Sequence, residues 1–182
     1  NDSESRVLLK PIAVIAKHQG PVTAVAINTR LHVCFSASTD GYLMSTSLVT
    51  GTFMNGTHLT VVGEPVSISC SEVGDVSVSM NGSIAESKIV NFDQNLKMIS
   101  EKQLNSLIYS TTVIRWKDGV FYLVVSMRDH VTKILRLPFL DDTELTIQEI
   151  SHDTTVVEYD EVGRALLIGD AEGKIHSYKF GE

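Results

Sequence analysis

Four tight polar turns recur along the chain at a nearly even spacing, and each interrupts a cluster of apolar, strand-forming residues. The turns are Asp40-Gly41, Asn81-Gly82, Asp129-His130 and Glu172-Gly173. Successive turns lie 41, 48 and 43 residues apart (from 40 to 81, 129 and 172), close to the roughly 40–45 residues of a four-stranded propeller blade. A blade cannot bury its faces alone, so blades pack side by side around an axis. The spacing therefore predicts an all-β propeller with about four four-stranded antiparallel blades.

Within each unit, short alternating or β-branched runs are separated by turns of a few residues, which is typical of an antiparallel meander. Outer strands are predicted at 52–54, 96–99 and 145–147. Residues 94–107 also have a composition compatible with a helix, although a strand is favoured there. The unbroken apolar run 120–125 predicts a strand buried on both faces. The predicted blades cover residues 18–60, 61–104, 108–151 and 152–182.

The fourth unit has three such runs and no outer strand. Residues 6–16 are rich in Val, Leu and Ile but have no inner strands of their own, so we predict that they form the outer strand of a closing or neighbouring blade. Two interpretations stay open: a small ring complete in itself, or part of a seven- or eight-bladed ring. The larger ring is favoured because four blades lie at the small limit of the known range. Its remaining blades would come from the parent chain or a second chain.

Composition limits the classes of partner. The chain has 15 basic and 22 acidic residues, a formal net charge of −7, which argues against a nucleic-acid binder that neutralises phosphates. No segment reaches the roughly 18 apolar residues of a membrane span. The two cysteines, Cys34 and Cys70, lie in alternating strand patterns and are interpreted as small buried hydrophobes in a reduced, intracellular setting.

No pattern of catalytic or metal-binding residues emerges. None of the six histidines lies two to four residues from another, the spacing that a zinc site favours; they are His18, His32, His58, His130, His152 and His176. The pairs Asp141-Asp142 and Asp160-Glu161 are assigned to solvated loops, and Asn55-Gly56 to a tight turn. Phosphate-cradling glycine patterns are missing too. The sequence predicts a non-enzymatic protein without cofactor or metal.

Residues 18–27 and 36–41, followed by Thr50-Gly51, resemble a WD40 repeat. The resemblance covers about the first 60 residues well and implies a hydrogen-bonded network of His18, Ser38 and Asp40. Thr46 stands where the family has Trp, and Ser47 replaces the family's Asp. A Thr-rich third strand without Trp-Asp also looks like the C-terminal WD40 region of BEACH-domain proteins. That likeness implies a cytoplasmic scaffold in membrane traffic, membrane-associated through the parent protein.

The WD40 resemblance also implies where partners bind. In such a blade, the turn between the second and third strands shares one face with the connection between blades. The residues predicted on that face are His18, Gln19, Asp40, Glu64, Asn81, Arg128, Asp129, His152, Asp153 and Glu172. They are mostly acidic or neutral, which favours a basic or polar peptide, and Arg128 is the first to test because arginine is enriched at hot spots.

The predicted function is a non-enzymatic scaffold for protein or peptide partners. The alternative is a propeller enzyme with its site in the central channel. Convergent carboxylates or histidines with perturbed pKa values at the axis would favour the enzyme.

Overall fold

The structure is a computed structural model that describes residues 14–15, 17–59, 63–83, 86–116, 119–128, 130–143, 147 and 152–179. All regular structure in these residues is β-strand, with fifteen antiparallel strands in four sheets. Each sheet is a meander in which neighbouring strands follow chain order. In this part of the chain, no helix has the length and apolar character needed to cross a lipid bilayer.

The four sheets are named A to D in chain order. Sheet A contains β1 (Val22–Asn28), β2 (Val33–Ser38), β3 (Tyr42–Ser47) and β4 (Phe53–His58). Sheet B contains β5 (Glu64–Cys70), β6 (Val76–Asn81), β7 (Ser87–Phe92) and β8 (Met98–Leu104). Sheet C contains β9 (Ile108–Arg115), β10 (Phe121–Met127), β11 (Thr132–Arg136) and β12 (Asp141–Asp142). Sheet D contains β13 (Thr154–Asp160), β14 (Ala165–Asp170) and β15 (Ile175–Lys179).

Most of the predicted strands are confirmed. The apolar run 120–125 forms β10, whose Leu123, Val124 and Val125 are fully buried. The stretch 94–107, for which a helix was the alternative, contains the edge strand β8. Sheet D has three strands among the described residues, in line with the missing outer run of the fourth unit.

Two local predictions are wrong. Asn55-Gly56 lies inside β4 and not in a turn, because β4 continues to His58. Asp141-Asp142, assigned to a loop, forms the short edge strand β12, in which Asp141 pairs with Arg136 and Asp142 with Leu135 of β11. Among the described residues, β12 is the outer strand of the third unit. The strand predicted at 145–147 falls outside the described residues except for Ile147, which packs against the core. The strand predicted at 6–16 falls outside the described residues except for Val14 and Ile15, which are not in a strand.

A β-bulge occurs at the same place in all four sheets. The register of the first strand shifts between Val22 and Ala24 in sheet A, and it shifts near the start of the first strand in the other three sheets. An extra residue in one strand bends it and increases its twist. Because the bulge is shared, residues of the four sheets can be matched position by position. Equivalent positions on the first strands are therefore Val25, Ile68, Thr111 and Val157.

Successive sheets pack face to face, and the first strand of each sheet contacts the first strand of the next. Separate apolar clusters fill the three spaces between A and B, B and C, and C and D. Among the described residues, β13 makes no comparable contact with β1. The sheets are thus arranged like consecutive propeller blades, while closure of the ring stays a prediction.

Buried polar side chains link adjacent sheets. Asn28 Nδ2 donates to the carbonyl oxygen of Ser71 at 2.8 Å and links sheets A and B. Ser69 Oγ donates to the carbonyl of Thr111 at 2.9 Å and links B and C. The hydroxyl of Ser126 hydrogen-bonds to the carbonyl and hydroxyl of Thr154 and links C and D. Among the described residues, Ser79 Oγ is the one buried side-chain polar atom without a hydrogen-bond partner.

We expect Asn81→Ala to destabilise the fold by about 2–3 kcal/mol. Asn81 Nδ2 donates to the Ile108 carbonyl at 2.8 Å, and its Oδ1 accepts from the Ile108 N–H at 2.9 Å. The alanine leaves both backbone groups of a buried residue unpaired. Urea unfolding measures the change. Asn95→Ala, at an exposed turn position, is the matched control, and an equal loss in the two variants would contradict the role of Asn81.

Candidate functional site

The predicted binding face corresponds to one end of the four sheets. The loop before each first strand meets the turn between the second and third strands there, through backbone hydrogen bonds. In sheet A the Thr39 N–H donates to the carbonyl oxygen of Pro21 at 3.0 Å, and in sheet D the Ala171 N–H donates to the carbonyl oxygen of Asp153 at 2.9 Å. This end is called the rim; it comprises residues 17–21, 38–41, 63–64, 81–82, 106–107, 127–128, 130, 152–153 and 170–174.

In sheet A, the structure brings His18, Gln19 and Asp40 together. Asp40 Oδ2 accepts from the Gln19 N–H at 2.7 Å and lies 3.2 Å from His18 Nδ1. The other ring nitrogen of His18 is 2.8 Å from Ser36 Oγ, whereas Ser38 Oγ accepts from the Asp40 N–H. The network implied by the resemblance thus forms between His18 and Asp40 but uses Ser36 in place of a direct contact between His18 and Ser38.

The Asp40 carboxylate shapes its own turn. Burial raises the pKa of Asp40, but hydrogen bonds from the backbone N–H groups of Gln19 and Tyr42 outweigh it, so the pKa is lowered. Gly20 allows the loop to approach closely, because a Cβ there would lie 2.7 Å from Thr39 Oγ1. Most of the hydrogen-bonding capacity of Asp40 is used within the protein, so this part of the rim is primarily structural.

A second group of rim side chains bridges sheets C and D. Asp153 Oδ1 accepts from the His130 N–H at 3.0 Å. Glu172 lies between His152 Nε2, at 3.1 Å, and Lys174 Nζ, at 2.6 Å. The rings of His130 and His152 are 6.5 Å apart and nearly perpendicular. These five residues are called the C–D cluster, and all of them are at least partly exposed.

Ion pairing orients the C–D cluster without burying it. The hydrogen bond from Lys174 is the main cause of the lowered pKa of Glu172, and the charge of His152 adds to it. Among the described residues, no group of three or more His, Cys, Asp or Glu side chains is placed to hold a metal ion. The arrangement is suited to exchanging ion pairs with the charged groups of a partner.

The remaining predicted residues do not join either group. Glu64 and Asn81 lie opposite each other in sheet B, but the Asn81 amide is occupied by the Ile108 backbone. The Arg128 side chain is exposed on the rim, and Asp129 lies outside the described residues. The sequence-based list missed His130 and Lys174. His130 could have been found from its place in the third of the evenly spaced turns.

Asp170 is another residue that the sequence did not single out. Its Oδ1 accepts from the backbone N–H groups of Glu172 and Lys174 at 3.0 and 2.9 Å, and its Oδ2 lies 2.8 Å from His176 Nε2. The hydrogen bond with His176 is the main cause of its lowered pKa. Asp170 therefore fixes the turn that presents Glu172 to solvent.

A small cavity opens at the opposite end of the first strands. It has a volume of about 80 Å³ and is lined by residues of sheets B, C and D, including Glu72, Arg115, Phe121 and Glu161. Arg115 Nη1 is 3.4 Å from Glu72 Oε2, and its guanidinium lies over the Phe121 ring. A hydrogen bond with Glu72 is the main cause of the raised pKa of Glu161. This cluster could not be predicted from the sequence, because its members come from three sheets.

Comparisons with known proteins identify the fold and nothing further. No family model and no curated protein matches the chain. Among 1011 matching chains of solved structures is the crystal structure of the computationally designed Ika4 protein, with a TM-score of 0.68 and 13% identity over 96% of this chain and 100% of that one. At that identity the likeness concerns the arrangement of strands alone.

We expect the Cys70 thiol to react slowly while the protein is folded. Burial, with a smaller effect of Cys34, raises the pKa of Cys70 to about 11. The thiolate is the reactive form, so alkylation by iodoacetamide at pH 8 should be about a hundredfold slower than in the unfolded chain. Mass spectrometry of a Cys34→Ser variant follows Cys70 by itself. Equal rates in the folded and unfolded chains would contradict the burial of this thiol.

We expect Glu161→Gln to stabilise the protein at pH 7.5 but not at pH 4. A carboxyl whose pKa is raised by folding stabilises the fold at low pH and loses that contribution as the pH rises through the folded pKa. Glutamine retains a donor for Glu72 without the second negative charge. Because Glu161 is exposed, the gain in Tm should not exceed about 2 °C. The control is Glu86→Gln, an exposed glutamate away from the cavity; an equal gain there would contradict the coupling to Glu72.

Proposed function

We propose that this chain is a WD40-type scaffold whose rim binds protein or peptide partners of basic or polar character. The C–D cluster is the observation that carries the proposal. There, each side chain lies within 3.3 Å of at least one other member of the cluster while staying at least partly exposed. Rigid sheets that hold polar loops in fixed positions are a common basis for recognition.

The chemistry of the cluster favours cationic groups. Asp153 and Glu172 are oriented by neighbours that can release them: two histidines and the exposed Lys174. A lysine or arginine of a partner can replace Lys174 on Glu172 at little cost, because one exposed ion pair is exchanged for another. An arginine would also form two parallel hydrogen bonds to a carboxylate.

The wider setting of the proposal comes from the resemblance to WD40 regions of BEACH-domain proteins. That resemblance supports a scaffold that acts in the cytoplasm and in membrane traffic, with membrane association through the parent protein. The remaining blades of the ring would be supplied by the parent chain or by a second chain.

The alternative, a propeller enzyme, is favoured by one feature. Glu72 and Glu161 are two carboxylates at the ends of first strands, and one of them has a raised pKa. However, Glu72 is paired with Arg115, and the adjoining cavity of about 80 Å³ is well below the roughly 300–1,000 Å³ of pockets that hold small molecules. The scaffold is therefore the better supported proposal.

We expect a labelled peptide of twelve residues with four lysines to bind more tightly than one with four glutamates in the same positions. The double variant Asp153→Asn with Glu172→Gln should weaken the lysine peptide about tenfold, since two exposed charge contacts are lost. Fluorescence anisotropy at 0.15 M salt measures both peptides.

The matched control is Glu101→Gln with Asp141→Asn, which changes the net charge equally at exposed positions of the edge strands β8 and β12, away from the rim. An equal loss in the two double variants would show an effect of net charge alone. Equal binding of the acidic peptide would contradict the proposed partner chemistry.

A further inference from the structure

The outer face of sheet A is a packing face without a partner among the described residues. Val25 is 62% exposed, whereas the equivalent residues Ile68, Thr111 and Val157 are 8%, 7% and 1% exposed. In those three sheets the preceding sheet covers the position. Ile27 and Phe53 are exposed on the same face of sheet A. We call this surface the Val25 face.

Sheet D has the complementary surface at the other end of the chain. Leu167 is 37% exposed, but the residues in its register position, Phe35, Ser77 and Val124, are at most 1% exposed. Ile175 is 77% exposed, while its equivalent Leu43 is fully buried. In sheets A, B and C, the following sheet covers these positions. We call this surface of sheet D, which also includes Val156, the Leu167 face.

The internal packing of the chain indicates what covers each surface. Three times within one chain, a surface of the Leu167 type packs against a surface of the Val25 type on the next sheet. Each copy therefore carries one unused surface of each type, and the two do not meet within the chain, since β13 and β1 make no comparable contact in its described part.

We propose that two copies of this chain associate head to tail, with the Val25 face of each packed on the Leu167 face of the other. Two such junctions close a ring of eight sheets, within the known range of propellers. A head-to-tail contact that closes on itself gives a finite assembly instead of a fibre. The inference rests on the propeller arrangement of the proposed function and is independent of the rim.

One residue weakens the junction. Glu158 holds the position that Ala26, Ser69 and Thr112 hold in the other sheets. A carboxylate at a packed junction carries a desolvation cost that the smaller residues avoid. Glu158→Ala should therefore tighten the association, which an unrelated contact between copies would not do.

Sedimentation velocity of the 182-residue chain from 1 to 100 µM tests the proposal. We expect a species of about 40 kDa, twice the 20.0 kDa of one chain. Val25→Glu and Leu167→Glu should each give a single chain, and Glu158→Ala should lower the dimer dissociation constant severalfold. Mixing the two glutamate variants should restore some dimer, because the mixed pair retains one intact junction.

The control is Val49→Glu, which changes an exposed valine in the turn after β3, away from both faces. It should leave the dimer intact. Circular dichroism establishes that each variant is folded. A single chain at 100 µM, a dimer abolished by one glutamate variant but not the other, or open polymers would overturn the proposal. The Asp153→Asn and Glu172→Gln variant should still dimerise, so the two proposals can fail separately.

Discussion

The architecture depends on small residues where the first strands of neighbouring sheets touch. Ala24 and Ala26 on sheet A, and Ser67 and Ser69 on sheet B, face the next sheet. Their short side chains let backbones approach closely enough for hydroxyl and amide groups to bond across the gap. Larger apolar residues such as Phe35 fill the wider space along the later strands. This taper from small to large makes the sheets fan out instead of stacking in parallel.

The strands were predictable because their signals are local. Alternation, β-branched runs and Gly-containing turns located the units, and an unbroken apolar run identified β10 as buried on both faces. The errors arose where backbone pairing with the neighbouring strand overrode the local preference of the residues. Asn55-Gly56 is a favourable turn pair, yet pairing with β3 holds it in a strand. The two aspartates of β12 have low strand propensity, but they pair with β11 at the edge of sheet C.

The candidate site was predictable only in part, for the same reason. The spacing of turns and the resemblance pointed to the rim, including His152, Asp153 and Glu172. They did not indicate that the N–H of His130, from sheet C, would donate to Asp153 of sheet D. Nor did they indicate that the Asn81 amide would hydrogen-bond to the backbone of Ile108. The Glu72–Glu161 contact depends on how three sheets converge, and no short motif encodes it. Register and packing, which the sequence expresses weakly, decide such contacts.

The bulge shared by all four sheets divides each first strand into a part next to the rim loop and a part in the core, and amino-acid substitutions in the two parts have different effects. It sets the angle at which each rim loop enters its sheet, immediately before the register that the core requires is resumed. Substitutions of exposed loop side chains, such as those of the C–D cluster, therefore alter what is presented to solvent, whereas Asp40 and Asn81 are constrained because their side chains hydrogen-bond to the backbone. Substitutions on the core side are constrained by the taper between sheets. A fold divided in this way can acquire new surface side chains while the residues between its sheets change little.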